Sequence, residues 1–335
     1  MAALTDDRWG IAKESVYGTG VTVTRFYPWV EAEGEWDNRR RTAMGLQGGG
    51  GRRTVLGNRS FLPVGQGKVK TKVELDTKGL GVLLDLGIGV STVTAITGGS
   101  QMVFHPGLSS GFLPSCTIQM VKVMNPGTES VETFTGCTAS KVVFEQGEEE
   151  IPTCEIEWDA RTVTTATAAA TPAYPSNPTM FDASQGVVTM GGAVAAPSAS
   201  ALGSVATAFG DFKKWKLEVD QNLDTERWVI GGRNQPIAGV PKYKFDGEAE
   251  FNSAVVRDYV LNGSRFGWQQ TWTTTEVLGA GFAQLQILVP QMGLTGDLAK
   301  VKSGETRTIG VKGEIVNDGT LRDMYVAYRT SDVAL

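Results

Sequence analysis

The sequence is poor in the residues that carry chemistry. Among 335 residues there is one histidine, His105, and three cysteines, Cys116, Cys137 and Cys154. A Ser-His-Asp or Cys-His arrangement would have to use His105, which stands before Pro106-Gly107 with no nucleophile motif beside it. The cysteines are odd in number and lack CxxC spacing, so they indicate neither a disulfide framework nor a zinc site, and buried thiols are expected. No carboxylate cluster has metal-ligand spacing. The expectation is a chain with no catalytic residue, no metal and no cofactor.

Long apolar runs are missing as well. The most apolar stretch, Gly79 to Val90, is about a dozen residues, is interrupted by Asp85 and falls short of the roughly 20 that span a bilayer. Asp6, Asp7 and Arg8 break the N-terminus before a signal-peptide core can develop, so neither membrane insertion nor export is expected and synthesis in a reducing cytoplasm fits. Basic charge is also short. With 31 basic residues against 36 acidic ones the net charge is -5, which argues against a protein built to grip nucleic acid through its phosphates.

What is abundant is alternation. Lys68 to Leu75 and Thr117 to Met124 place apolar side chains at every second position, as do Lys216 to Val219, Lys242 to Phe245 and Gln284 to Val289. With 42 glycines and turns such as Asn125-Pro126-Gly127-Thr128 and Asn317-Asp318-Gly319, this reads as mainly antiparallel β, a sandwich or a barrel. Two short helices are expected. One follows Asn252 and closes at Asn262-Gly263; the other follows Asp76-Thr77 and stops at Gly87.

These two strand-helix pairs lie in a parallel order of landmarks. Proline, glycine, a Lys-x-Lys strand, acidic residues and a helix occur in both halves, and Thr135-Gly136 through Asp159 resembles Thr295-Gly296 through Asp318, at offsets of about 160 to 174 residues. The expected organisation is an N-terminal arm at 1–30, a first β module at 31–162 and a second at 209–335. The Ala, Thr, Ser and Pro-rich stretch at 163–208 would be a linker that contributes the strand candidate Gly186 to Met190.

Three stretches resemble the tail tube family of long-tailed (siphovirus-type) bacteriophages, particularly the longer variety of actinobacterial phages. They are Glu14 to Trp29 (ESVYGTGVTVTRFYPW), Phe212 to Gly231 (FKKWKLEVDQNLDTERWVIG) and the strand-helix pair of each half. The resemblance covers the chain from about residue 10 onward. It implies β-sandwich or β-barrel modules around a channel, with an arm and long loops reaching neighbouring subunits. The fold expected is therefore mainly β, with two related tail-tube modules, each with one short helix. Simpler tube proteins of about half this length form six-fold rings, so two modules per chain would make three copies sufficient.

The same resemblance implies partners: further copies of the chain in stacked rings, a tape measure protein, a tail terminator, and duplex DNA passing through the lumen without specific binding. A basic lumen would hold phosphate and stall the genome, so a neutral or acidic one is expected. The basic, glycine-rich segment from 38 to 59 suits a loop that orders on a neighbour. The candidate inter-subunit residues are Trp9, Tyr17, Arg39, Arg40, Arg41, Gly48, Gly49, Arg52, Arg53 and Arg59, with Glu148 and Glu149 as acidic counterparts. The implied place is the virion tail, assembled in the host cytoplasm.

Other features carry less. The glycine run at 48 to 51 lacks the Gly-Lys-Ser/Thr ending of a phosphate loop. Glu155, Glu157 and Asp159 lie on one face of a strand, which suits a solvated, lumenal or interface face better than a glycosidase pair. The eight tryptophans suit core and interface packing. The competing reading is a virion surface module, such as a carbohydrate-binding fibre or capsid decoration protein.

Overall fold

The computed structural model describes residues 7–43, 59–62, 65–108, 111–125, 128–205, 212–250, 254–279, 281–296, 307–317 and 319–335. Strands β1 (Arg8–Lys13), β2 (Glu31–Asp37) and β3 (Gln66–Glu74) precede helix α1 (Leu80–Ile88). Then come β4 (Gly89–Ile96), β5 (Gly99–Pro106), β6 (Ser115–Asn125), β7 (Thr128–Gln146), β8 (Thr153–Ala160), β9 (Gly186–Met190), β10 (Phe212–Asp220) and β11 (Lys242–Glu250). Helix α2 (Val255–Asn262) leads to β12 (Arg265–Leu278), β13 (Gly281–Gly296), β14 (Thr308–Ile315) and β15 (Tyr325–Thr330). The remaining strands are two or three residues long and carry no label.

Alternation places the strands as the sequence predicts. In β3, Gly67, Val69, Thr71 and Val73 face inward while Lys68, Lys70 and Lys72 face outward; in β8, Cys154, Ile156 and Trp158 are buried. All three cysteines are buried free thiols.

The helices depart from expectation in their boundaries. α2 closes at Gly263, with φ 60°, as the Asn-Gly signal predicts, but its N-cap is Ala254 without a side-chain cap bond. α1 is capped by neither Asp76 nor Thr77 and does not stop at Gly87. Its N-cap is Gly79, and it ends at Gly89, whose φ of 122° and N–H bond to the Asp85 carbonyl turn the chain out. Gly87 serves packing instead: a Cβ there would stand 2.9 Å from Ile156 Cδ1, so the missing side chain lets strand β8 approach. α1 is almost wholly buried, with Leu80, Leu83, Leu84, Leu86 and Ile88 in the core.

Two groups of strands are hydrogen-bonded in the same order. The first runs β1-β6-β7-β8-β3-β2 and the second β9-β12-β13-β14-β11-β10, all antiparallel. They join through β7 and β10, and β15, β5 and β4 extend from β13. These pairings branch without returning on themselves, so the sheet is open and forms a sandwich rather than the closed barrel left open as an alternative by the sequence. β2 lies across the core from β6 and β7: a Cβ on Gly34 would stand 2.6 Å from the Phe134 ring and 3.6 Å from Met120 Sδ.

β7 and β13 each pass from one layer to the other at a bulge. One extra residue sits between Phe134 and Cys137 in β7, opposite Ile118 and Cys116, and another between Val289 and Met292 in β13, opposite Trp268 and Phe266. Gly136 adopts φ 64° in the first bulge, and its N–H donates to Glu14 Oε1 at 2.9 Å. The buried Glu14 carboxylate also accepts from the Gly18 N–H, the Ser115 hydroxyl and the Thr117 hydroxyl, each at 2.9 Å. That ties the Tyr17-Gly18 turn to the strand ends.

Candidate assembly surface

Eight strands form one continuous antiparallel run, β2-β3-β8-β7-β10-β11-β14-β13, using the C-terminal parts of β7 and β13. Period-2 alternation gives this sheet one apolar face on the core and one charged face. β2 sends out only carboxylates, Glu31, Glu33, Glu35 and Asp37, while β3 sends out lysines and β8 sends out Glu155 and Glu157. Directly opposed residues then alternate in charge, as in Glu31–Lys72–Glu155 and Lys141–Asp220–Lys242. Over the whole face carboxylates outnumber lysines.

The charges are paired across strands. Lys70 reaches Glu31 at 3.2 Å and Glu155 at 3.3 Å; Lys141 reaches Glu157 at 3.7 Å and Glu218 at 3.2 Å; Lys214 meets Glu248 at 2.9 Å; and Lys72 meets Glu145. Burial works to lower the Lys70 and Lys141 ammonium groups, but their carboxylate hydrogen bonds outweigh it and hold both above the usual lysine range. The hydrogen bond from Lys72 holds the Glu145 carboxyl below its ordinary value. Exposed pairs of this kind contribute about 0–1 kcal/mol each, so they set register and charge pattern more than stability.

At one end of this face sits the 221–241 segment between β10 and β11. Arg233 is fully buried, donating to Asp159 Oδ2 at 2.6 Å and to the carbonyls of Thr225 and Ala160. Asp159 therefore belongs to a buried ion pair and not to the solvated carboxylate row in which the sequence placed it. Two guanidinium groups lie over the Trp228 ring, Arg39 at 4.4 Å and Arg233 at 5.2 Å from its centroid. Arg39 also approaches Glu226 at 3.4 Å, and the Trp228 indole N–H donates to the same carboxylate at 2.9 Å.

The other candidates are dispersed. Trp9 is buried in the chain's own core, stacked on Tyr27 at 5.2 Å, and Arg8–Lys13 is a sheet strand paired with β6. Tyr17 lies under the Arg161 guanidinium at 5.4 Å, and burial pushes its hydroxyl up to about 12. Arg40 reaches the Ser60 hydroxyl at 3.4 Å, Arg41 pairs with Phe61 in a short ladder, and the Arg59 carbonyl accepts from the Ala43 N–H. Glu148 approaches Lys213 at 3.8 Å, and Glu149 is exposed at φ 59°. Gly48, Gly49, Arg52 and Arg53 lie outside the described residues.

Sequence reasoning missed Arg233, Trp228 and Glu226 as a unit with Arg39. The Arg-aromatic signal at Arg227-Trp228 was present, but nothing local joins it to residue 39 or 159.

Among the described residues no three His, Cys, Asp or Glu side chains are grouped to hold a metal ion, and no helix is long and apolar enough to cross a membrane. His105 lies near Tyr325, with Nδ1 3.1 Å from the Pro106 carbonyl. No curated protein matches the chain. The family model described as phage tail tube protein matches residues 8–318. A match over nearly the whole chain, on an open β-sandwich with an ordered charged face, means that this chain belongs to the phage tail tube protein family.

Proposed function

We propose that the chain is the major tail tube subunit of a long-tailed phage, that three copies make each ring, and that stacked rings form the conduit for the genome. Family membership over residues 8–318 is the observation that carries this reading. The subunit is a structural component of the virion tail that assembles with itself, and no reaction is assigned to it. Assembly in the host cytoplasm on a tape measure protein, ended by a tail terminator, belongs to the same proposal.

Three copies follow from an internal duplication, which the repeated pairing order supports. Laying one order on the other sets Gln66–Glu74 against Lys242–Glu250, Thr153–Ala160 against Thr308–Ile315, and Glu31–Asp37 against the last seven residues of Phe212–Asp220. Both bulges then coincide. This alignment places Lys70 opposite Asp246, two residues beyond the Lys244 on which the match of the two Lys-x-Lys segments sets it.

The charged face of the eight-stranded run is the proposed lumen wall. Three copies supply about 24 strands, which at about 4.8 Å spacing enclose a ring about 37 Å across when upright and about 48 Å across at a tilt of about 40°. Side chains leave room for a duplex of roughly 20 Å whose grooves are about 8 Å deep. Six copies would double the diameter with no need for the space. An excess of carboxylate over lysine there repels phosphate instead of binding it.

Negative-stain electron microscopy of concentrated protein tests this. Hollow tubes with three-fold chain symmetry and six similar lobes are expected. Persistent monomers or small closed oligomers would overturn the tube reading, and six chains per ring would overturn the duplication argument alone.

A further inference from the structure

We propose that Cys116 and Cys137 are an oxidation site, two thiols that stay free in a reducing cytoplasm and that a hydroperoxide joins as a disulfide once the chain has left the cell. The bond needs only the fold. The tail-tube reading supplies the change of surroundings, since a virion subunit is made inside the host and works outside it.

The two cysteines stand 21 residues apart in the sequence, with no motif to join them. The fold sets them face to face: in the antiparallel pair of β6 and β7, Cys137 is the direct partner of Cys116. Directly opposed residues send their side chains to the same face with Cα atoms about 4.5–5.5 Å apart, inside the range that a disulfide spans. The Cys116 thiol already leans across the gap, donating to the Cys137 carbonyl at 3.5 Å. Both side chains are out of solvent. Cys154 has no such partner, because β8 sets it opposite Phe144 on one side and Val73 on the other.

The backbone around the pair is held in place. Cys137 is the first paired residue after the bulge in β7. Ser115 and Thr117 flank Cys116, Gly136 precedes Cys137, and all three donate to the Glu14 carboxylate at 2.9 Å. Alternation turns the Ser115 and Thr117 side chains away from the face that carries the Cys116 thiol. The carboxylate thus ties both strands together from one face while the cysteines meet on the other, and closing the bond asks for no movement of the strands.

Hydrogen peroxide is small and uncharged, so it enters an apolar core that excludes glutathione. One thiol loses its proton and its sulfur attacks a peroxide oxygen; the O–O bond breaks, leaving a sulfenic acid and releasing water. The second thiol attacks the sulfenic sulfur, the S–O bond breaks and a second water leaves. Two thiols and one peroxide give one disulfide and two waters, with the sulfurs oxidised and the peroxide oxygens reduced. The first step is slow, because burial, the adjoining Cys137 thiol and the Glu14 charge all raise the Cys116 thiol. The pair therefore passes through assembly reduced and closes afterwards.

The test uses the wild-type chain, both as subunits and as tubes. Each sample is held in dilute hydrogen peroxide for hours, quenched with catalase, unfolded in iodoacetamide without reductant, digested and read by mass spectrometry. A peptide pair joined through Cys116 and Cys137 is expected, with Cys154 alkylated. The thermal midpoint should rise by several degrees, because the cross-link restricts the unfolded chain, and dithiothreitol should reverse both changes. Three alkylated thiols, sulfinic acids in place of the bond, or a link to Cys154 would overturn the proposal. Microscopy of the same samples decides the tube reading separately, since the bond is read in subunits as well.

A second measurement removes the barrier of access. The chain is equilibrated with graded mixtures of oxidised and reduced glutathione, once in urea and once during refolding. The Cys116–Cys137 bond should survive mixtures at least about tenfold more reducing in the folded chain than in urea. Equal sensitivity in the two states would show that the fold does not favour the bond and would overturn the site.

Discussion

Arg233 and Asp159 form an ion pair at 2.6 Å with both side chains out of solvent, joining the 221–241 segment to the end of strand β8, 74 residues away in sequence. Burial pushes the Asp159 carboxyl up, and the Arg233 guanidinium pulls against that without cancelling it. Removing one member leaves an uncompensated buried charge. Arg233→Met is expected to cost about 3–5 kcal/mol in urea unfolding, and the double variant with Asp159→Asn to recover part of that loss. Equal destabilisation in single and double variants would show that the pair itself is not the cause.

Burial, with the nearby Glu74 charge adding to it, raises the Asp76 carboxyl from 3.8 to about 6. A carboxyl that binds its proton more tightly in the folded chain contributes stability below the unfolded value, and this is lost as pH rises through the folded value. Wild type should therefore lose stability between about pH 4 and 6 by no more than about 2 kcal/mol, once solvent screening is allowed for. Asp76→Asn should flatten that slope in unfolding curves taken across this range, and an unchanged slope would reassign the proton.

Gly34 faces the Phe134 ring with no room for a side chain. Gly34→Val should destabilise by about 1–3 kcal/mol through overpacking. Its thermal midpoint should fall, and pairing it with Phe134→Leu should restore part of the loss.

The charged sheet face gives a functional prediction. Recombinant wild-type tubes should not retain short duplex DNA. Tubes carrying Glu157→Lys and Glu314→Lys should retain it at low salt and release it as salt rises. Retention that is independent of salt, or none at all, would move the lumen to another face.

Arg39 stacks on Trp228 and meets Glu226 at the tip of the same end. Arg39→Glu puts two carboxylates together and should weaken tube assembly while barely moving the melting temperature. Glu226→Arg in the same chain should restore assembly, as read by light scattering.

Much of this was legible in the sequence. Alternation placed β3, β6 and β11, because a strand that is half buried must repeat every second residue. Asn262-Gly263 marked the end of α2, because only a left-handed residue turns the chain there. Gly87 misled for a related reason: a glycine admitted for close packing looks the same in sequence as one that ends a helix. The basic segment from Arg39 to Arg59 was visible as charge, but Trp228 and Glu226, which Arg39 meets, lie far along the chain.

The sequence by itself determined the period-2 strands, the like-charged rows along single strands such as Glu155 and Glu157, and the scarcity of residues for catalysis, since each depends on neighbours in the chain. Only the tertiary structure decided that Asp159 is buried with Arg233, that β7 and β13 change layers at matching bulges, and that β2, paired only with β3 among the described residues, ends the wide sheet. Those features arise from hydrogen bonds between strands tens to hundreds of residues apart, and a strand's own composition does not name its neighbour.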